Sequence, residues 1–566
     1  MRRFKSILSR FLSADVLQWV YPLVLIAPNI GLDITETYPL FVKILNVLLP
    51  AGVYLLLTAL SPLTGRTVVL ALPLTVLAAF QVVLLFLYGE SIIAVDMFLN
   101  VVTTNVSEAT ELLGNLTGAI FTVIGLYLTT LVWGIVLWSR RCRVAASNLK
   151  VARRSASGLL TAALVAYVAC LTAVPQFRLV RDIFPLNVVR NMWTAVERTR
   201  ATEAYAETSA AFDYHPAATR PDSVRQVYVL VVGETSRADN WQLLGSPRPT
   251  NPHLSRRSNL VVYPYALTES NTTHKSVPLM LSHVTAETFN DSIYSTKSIV
   301  SAFGQAGFNT AWLSNQARNR SFIEFFAREA DSTLYISDDR RAHYDTDLVE
   351  PLRRIIEADT TGRLFVVLHT YGGHFNYVDR YPAEAARFKP DHAFAADASE
   401  RNILLNAFDN TVCFTDSLLD AVIGTVERTG GLGAVLYCSD HGEDIYDDPR
   451  GRFLHASPVP TYYQLHVPML IWMSDGLRVS CPELYANVQR NSGKQVSSSR
   501  DIFDTMLSLA GLETPYADPR NDLTSVRYTE HPRIYLTDHN EAVPLKSAGL
   551  RQYDFDFLAR KNISAE

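Results

Sequence analysis

Acidic and imidazole side chains follow two apolar runs that lie far apart in the chain. Glu234 comes directly after QVYVLVVG (226–233), and the pair Asp440-His441 comes directly after GAVLYCS (433–439). Zinc accepts such carboxylate and imidazole ligands, and a catalytic zinc keeps one open or reactive position. Alone, each element is weak evidence, because an Asp-His pair after a strand is as often a turn or a cap.

Three further histidines strengthen this interpretation. His369 and His374 frame the segment HTYGGH, and His455 follows in FLHASP. With His441 they make four of the 13 histidines in the chain. Their grouping behind apolar runs favours a metal centre, while a purely hydrogen-bonding role for His374 and His455 stays open.

The apolar runs themselves predict buried β-strands. Near-continuous apolar segments are typical of parallel sheets covered on both faces, and amphipathic helical patterns separate them, as in a doubly wound α/β fold. Ligands of such sheets bind beyond the carboxyl ends of the strands. That edge is predicted to hold the polar residues of four strand ends: Gly233-Glu234-Thr235, Ser314-Asn315-Gln316, His369-Thr370 and Ser439-Asp440-His441-Gly442-Glu443.

Five apolar stretches before this region are long enough to cross a bilayer, which takes about 20 helical residues. They cover residues 15–30, 40–60, 67–88, 116–138 and 158–178. The first follows a basic start like that of a signal peptide, but no small-residue cleavage site comes after it. We therefore expect an uncleaved span and a bundle of five transmembrane helices.

Charge indicates which side each loop faces. Four basic residues precede the first stretch and six separate the fourth from the fifth, whereas loops 31–39 and 89–115 hold acids and no Lys or Arg. Positively charged loops stay in the cytoplasm. The chain after about residue 180 is therefore expected outside it. This alternation argues against the other interpretation, in which the apolar runs are buried helices of a large soluble protein.

These patterns predict three parts. Residues 1–180 form the transmembrane domain, whose loop 89–115 lies along the outer membrane–water interface or is a plain connector. Residues 181–222 form a bridging helix and a linker that contains HPAATRPDS. Residues 223–566 form the α/β catalytic domain.

Composition excludes some functions. The net charge of −4 and the pI of about 6.4 provide no polybasic domain of the kind that binds phosphate backbones, so nucleic acid is not expected as a partner. The five cysteines include no CxxC pair, which excludes a disulfide-dense scaffold. One bridge among Cys413, Cys438 and Cys481 stays open.

Seven segments of the α/β region resemble the alkaline phosphatase–sulfatase superfamily and, within it, the phosphoethanolamine transferases. They occur in that family's order and follow five spans, as in the family. The segments are VVGETSRADNWQLLGSPRPTNPHL (231–254), ESNTTHKSVPLML (269–281), FNTAWLSNQ (308–316), LHTYGGHFNYVDRYP (368–382), CSDHGED (438–444), FLHASP (453–458) and SRDIFDTMLSLAGL (499–512).

The resemblance implies roles for individual residues. The family's threonine nucleophile lies four residues before a Val-Pro pair, which places it at Thr273, with Thr272 as the neighbour that could be mistaken for it. The implied zinc ligands are Glu234, Thr273, Asp440 and His441. The positions that resemble the family's substrate-binding or second-metal cluster are His374 and His455, with His369, Asn315 and Gln316 on the same edge and Glu443 orienting a ligand.

The activity that the resemblance implies is transfer of phosphoethanolamine from phosphatidylethanolamine to lipid A or the core of a lipopolysaccharide. One Zn²⁺ is expected, with a second as an open alternative. We also expect a monomer in the bacterial inner membrane with its catalytic domain in the periplasm. The acceptor region after Pro278 matches the family poorly, so a periplasmic glucan stays open as acceptor.

Three other functions share features with this sequence. A glycerol-phosphate transferase of the lipoteichoic-acid-synthase type shares five spans and a threonine nucleophile. A sulfatase would need a C/S-x-P-x-R signature, which TTHKSVP (272–278) lacks. A sensor or scaffold would be expected to have lost Thr273 or a ligand, and none is lost.

Overall fold

The computed structural model describes residues 13–36, 38–88, 92–103, 117–174, 177–318, 321–338 and 343–566. Two compact units divide the chain: residues 1–98 with 113–196, and residues 99–112 with 197–566.

The first unit is helical. Its helices are Ala14–Leu25, Ala27–Thr35, Leu40–Ala59, Thr64–Leu70, Leu72–Tyr88, Val95–Thr103, Thr117–Val123, Thr129–Ser139, Ala146–Ala173, Leu179–Asp182 and the first part of Leu186–Glu203, and a π-helical turn covers Ile124–Leu128. The predicted interfacial loop 89–115 coincides in part with Val95–Thr103, and its residues 89–91 and 104–115 lie outside the described residues.

By length and composition, four of the described helical stretches could cross a membrane, and a fifth span results if the pair Thr64–Leu70 and Leu72–Leu87, bent by 63°, is counted as one. The predicted bundle of transmembrane helices is thereby confirmed. Two helices in it approach closely at Gly65 and Gly134, where a Cβ on Gly65 would lie 2.4 Å from the Gly134 carbonyl oxygen. Small residues at such crossings are typical of helix packing in membranes.

A seven-stranded sheet forms the centre of the second unit. Its strands are β1 (Gln226–Gly233), β2 (Leu260–Val262), β3 (Asn309–Ser314), β4 (Ser332–Tyr335), β5 (Arg363–His369), β6 (Leu432–Ser439) and β7 (Met469–Met473), in the spatial order β2-β7-β6-β1-β5-β3-β4. All neighbouring strands pair in parallel except β7, which runs antiparallel to both β6 and β2. The predicted α/β fold with a mostly parallel sheet is confirmed.

Alternate residues of β1 enter two separate cores, as the period of two in a strand requires. Tyr228, Leu230 and Val232 pack on one face and Val227 and Val229 on the other. The helices of the first face are Thr273–Leu281, Ile299–Gln305, Phe322–Ala327, Asp475–Ser480, Pro482–Asn491 and Arg500–Ala510, and those of the second are Val349–Ala358 and Arg401–Glu427. Because both faces are covered, β1 and β6 are buried along their whole length, whereas the edge strand β4 is exposed at three of its four residues.

Smaller elements complete the unit. They are the helices Tyr205–Thr208, Phe289–Ser292, Tyr462–Leu465 and Gln552–Arg560 and the short strands Ala217–Ala218, Ala266–Leu267, Asp444–Ile445, Phe453–Leu454, Val496–Ser497, Leu512–Glu513, Ile534–Leu536 and Ala542–Pro544. All five cysteines are free thiols, so Cys413, Cys438 and Cys481 form no disulfide.

Candidate metal and nucleophile site

The ends of β1 and β6 hold Glu234 and Asp440 beside each other. The Asp440 backbone N–H donates to the Gly233 carbonyl at 3.0 Å, and Asp440 Oδ1 accepts the Thr235 N–H at 3.1 Å. Thr235 has a φ of +51°, which turns the chain sharply after β1. These bonds bring two carboxyl groups, distant in sequence, to one buried place at the carboxyl edge of the sheet.

His441 Nε2 is the atom around which the site converges. It lies 3.0 Å from Thr273 Oγ1, 3.3 Å from Asp440 Oδ2 and 3.6 Å from Glu234 Oε1. His441 Nδ1 donates to the Gly442 carbonyl at 3.0 Å, because a carbonyl oxygen can only accept. In the neutral ring, Nε2 therefore carries the lone pair.

Thr273 begins the helix Thr273–Leu281, while Thr272 is its N-cap residue. The N-terminus of a helix carries a partial positive charge, which favours a negatively charged oxygen there. Thr273 Oγ1 also lies 3.4 Å from Glu234 Oε2. Thr272 Oγ1 instead pairs with Ser270 Oγ at 3.1 Å. Of the two adjacent threonines, Thr273 is thus the one whose hydroxyl lies among the carboxylates and the imidazole.

The residues present fit a bound cation. Two carboxylates and an imidazole lone pair face one another, and Asp440 Oδ2 is buried with no hydrogen-bond donor among the described residues. Burial, with repulsion from Asp440, raises the pKa of Glu234 to about 7, and burial raises the pKa of Asp440 to about 7. A positive ion would remove this cost, and carboxylate, hydroxyl and imidazole ligands suit zinc.

A second group of imidazoles adjoins the first. The His455 ring lies 4.1 Å from that of His441, centre to centre, and the His374 ring lies 6.0 Å from that of His455. The ligand atoms of Glu234, His441 and His455 all lie within 4.8 Å of one another, so these three alone could hold a metal. Burial lowers the pKa of His374 to about 4 and that of His455 well below its ordinary value. Both rings are therefore neutral at pH 7 and able to act as ligands.

Hydrogen bonds orient these imidazoles. His374 Nδ1 donates to the Phe375 carbonyl at 2.7 Å, and His455 Nδ1 lies 3.4 Å from Glu443 Oε2. Tyr377 donates its hydroxyl to the other oxygen of Glu443. Burial raises the pKa of the Glu443 carboxyl well above its usual value. Glu443 thus contacts Nδ1 of His455 and leaves Nε2 of that ring for a ligand, as carboxylate partners of metal-binding imidazoles commonly do.

The remaining predicted residues lie at the same edge with different contacts. Gln316 Nε2 donates to Glu234 Oε2 at 3.0 Å and to the Thr370 carbonyl at 2.8 Å. Asn315 contacts Asp345 at 2.9 Å rather than the carboxylate pair. His369 ends β5, and its ring lies 3.4 Å from Ser314 Oγ and packs against Trp312.

Thr235 was predicted at this edge of the sheet, whereas Asp345 and Tyr377 were not predicted as site residues. Thr235 donates its hydroxyl to Glu234 Oε1 at 2.5 Å. Asp345 accepts the backbone N–H groups of Tyr371 and Gly372, both at 2.8 Å, and so holds the loop that carries His374. Tyr377 contributes through its hydrogen bond to Glu443. Tyr377 lies inside the quoted segment 368–382, whereas Asp345 lies in none of the quoted segments.

The α/β part of the chain matches a known protein family. A family model described as Sulfatase matches residues 226–512. The chain is 27% identical over 358 residues to the phosphoethanolamine transferase EptA of Escherichia coli (strain K12), covering 61% of this chain and 64% of that protein. The match therefore spans less than two thirds of that relative's length.

Two solved structures share the fold. The integral membrane protein lipooligosaccharide phosphoethanolamine transferase A of Neisseria meningitidis superposes with a TM-score of 0.68 at 21% identity, covering 91% of this chain and 96% of that one. The C-terminal periplasmic domain of EcEptC from Escherichia coli, in complex with Zn, gives 0.53 at 24% identity, covering 58% and 95%. The first likeness extends over both the helical and the α/β part.

Proposed function

The chain belongs to the sulfatase family, and from this premise we propose that it transfers phosphoethanolamine from phosphatidylethanolamine to an envelope glycolipid, lipid A or a lipopolysaccharide core, through Thr273. The observation that carries the proposal is the position of Thr273 Oγ1, 3.0 Å from His441 Nε2 and 3.4 Å from Glu234 Oε2, at a helix N-terminus. The name of the relative from Escherichia coli K12 supports the group transferred.

Glu234, Asp440, His441 and Thr273 would hold one zinc ion. When bound, zinc supplies positive charge that makes a hydroxyl more nucleophilic at neutral pH and stabilises charge on phosphoryl oxygens. His374 and His455, neutral and adjacent, would bind the oxygens of the transferred phosphate or hold a second zinc. Gln316 and Thr235 hold the Glu234 carboxylate in place through their hydrogen bonds.

The reaction proceeds in two steps. Thr273 Oγ1 attacks the phosphorus of the donor, the bond from phosphorus to the diacylglycerol oxygen breaks, and the threonine proton passes to that oxygen. The acceptor then attacks the phosphoethanolamine on Thr273, and the threonine oxygen recovers a proton as the acceptor loses one. Two bulky lipids can thus use one site in turn.

The membrane part suits this substrate pair. Four or five stretches able to span a bilayer would hold the α/β unit beside lipids that never leave the membrane. The charge alternation of the loops supports an inner-membrane protein whose catalytic unit faces the periplasm.

Mass spectrometry of envelope lipids tests the function. A strain that expresses the chain should contain lipid A or core species heavier by one phosphoethanolamine, and a strain that expresses Thr273→Ala at equal level should not. A gain of glycerol phosphate would instead indicate a glycerol-phosphate transferase. Phosphoethanolamine found only on a periplasmic glucan would indicate a glucan as the acceptor. No gene-dependent change in any of these molecules would contradict the proposal.

A further inference from the structure

A groove of about 1050 Å³ lies in the helical unit, far in sequence from the catalytic residues. One wall is apolar and comes from one face of the helical stretch 124–137, where Ile124, Leu128, Val132 and Val136 are 39–50% exposed. The start of the first described helix, at Ser13 and Ala14, forms the other wall. The volume lies just above the range of about 300–1,000 Å³ that is typical of ligand pockets.

Two cationic side chains line one end of this groove. Arg140 and Arg143 are exposed, and no carboxylate of the described residues lies within 4.0 Å of either guanidinium group. Asp15 is the one acid in the lining, and its Oδ1 already accepts the Ala145 N–H at 2.9 Å. The end of the groove therefore has an excess of positive charge. The loop charges assign this end to the cytoplasmic side.

The π-helical turn Ile124–Leu128 shapes the apolar wall. It widens the helix by one residue at the end of the groove away from Arg140 and Arg143, where Ile124 and Leu128 are lining residues. Such π-helical turns occur frequently at functional sites.

We propose that this groove binds an anionic phospholipid of the cytoplasmic leaflet. The headgroup phosphate lies between Arg140 and Arg143, and an acyl chain lies along Leu128, Val132 and Val136. Basic pockets between transmembrane helices at this face are known to favour anionic headgroups. The site is separate from the proposed transfer reaction and needs none of its residues.

Lipid binding to the purified full-length protein tests the site. Native mass spectrometry would measure dissociation constants for phosphatidylglycerol and for phosphatidylcholine with the same acyl chains. Phosphatidylethanolamine is left out because it is the proposed donor. The groove variant is Arg140→Gln with Arg143→Gln. Its matched control is Lys150→Gln with Arg154→Gln, which removes the same charge from the same segment outside the groove lining.

The groove variant should bind phosphatidylglycerol about 30-fold more weakly, which is the contribution of two basic residues near a membrane surface. The control should stay within about threefold of the wild type. Val132→Trp, at a half-exposed position, should fill the groove and weaken binding while keeping both arginines. Equal losses in the groove variant and the control would overturn the proposal. So would equal affinity for the two lipids, or unchanged binding in Val132→Trp.

Discussion

At the scale of single residues, the hydroxyl of Thr273 and that of its neighbour Thr272 differ in what they contact. One lies 3.0 Å from an imidazole nitrogen, and the other bonds to Ser270 within its own loop. The same residue type at adjacent positions therefore provides a test in which only the environment of the hydroxyl changes.

Thr273→Ala should abolish release of diacylglycerol from a fluorescent phosphatidylethanolamine, even with no acceptor present. Loss of a nucleophile typically lowers kcat by a factor of about 10⁴ or more. Thr272→Ala should retain activity within about tenfold, because it removes only a bond to Ser270. Peptide mass spectrometry of the wild type should locate the phosphoethanolamine on Thr273. Diacylglycerol release by Thr273→Ala at the wild-type rate would exclude this nucleophile.

The buried carboxyls Glu234 and Asp440 make a prediction about pH. Each has a pKa of about 7 without metal, so at pH 6 zinc must displace protons from both. Zinc affinity should then weaken by up to about 100-fold for each pH unit below 7, since two protons compete with one ion. Titration against a chelator from pH 5.5 to 8 measures the slope. Asp440→Asn should bind zinc more weakly with about half that slope, and a wild-type affinity independent of pH would contradict the assignment.

The same raised pKa values affect stability in the metal-free protein. Below pH 4 both carboxyls are protonated in the folded and the unfolded chain, so they contribute nothing. Between about pH 4 and pH 7 the unfolded chain releases these protons and the folded chain keeps them, which favours unfolding as the pH rises. The Tm of the metal-free protein should therefore fall from pH 5 to pH 8, and zinc should restore it. A metal-free Tm that rises over this range would show that other groups dominate.

At the scale of elements, the loop after β5 is held against the end of β1. Gly373 donates its N–H to the Glu234 carbonyl at 2.9 Å, and a Cβ on Gly372 would lie 2.3 Å from that carbonyl oxygen. Gly372 also has a φ of +48°, which favours glycine. The loop carries His374, so its close approach determines where this imidazole lies.

Gly372→Ala should force the loop away from Glu234 and lower transfer activity at least about tenfold, because displacement of a positioning element by about 1 Å can cost about 100-fold. Gly362→Ala is the matched control: its φ is +79°, and a Cβ there would contact nothing within 4 Å. The control should lose only the stability that a left-handed conformation costs, about 1–2 kcal/mol. Assays of transfer activity and thermal unfolding of both variants measure the two effects. Equal losses of activity in the two variants would show that backbone strain, and not displacement of the loop from Glu234, lowers the activity.

At the scale of the whole molecule, the orientation of the chain in the membrane decides whether the site can reach its lipids. A reporter that is active only outside the cytoplasm should be active when fused after residue 200 and inactive when fused near residue 148. The reason is the basic segment 140–154, which should stay in the cytoplasm. Activity of the second fusion and silence of the first would reverse the orientation.

The sequence was sufficient to predict the two architectural parts. Apolar stretches of membrane length reflect contact with lipid, and the nearly continuous apolar runs of the central strands reflect a core on both faces of the sheet. Composition along the chain therefore reveals both. It also indicated which strand ends carry Glu234 and the Asp440-His441 pair, since ligands of parallel sheets gather at one edge. The sequence did not predict that β7 runs antiparallel to its neighbours, because a short apolar strand has the same residue pattern in either direction.

Only the tertiary structure decided which residues at that edge face one another. His369 and Gln316 both follow buried strands, yet one packs against Trp312 and the other donates to Glu234. Asn315 acts through Asp345, and Glu443 contacts His455 with Tyr377 behind it. Side-chain direction just beyond a strand depends on the turn that follows and on loops from distant segments. These contacts arise only when the chain is folded, and sequence spacing carries no record of them.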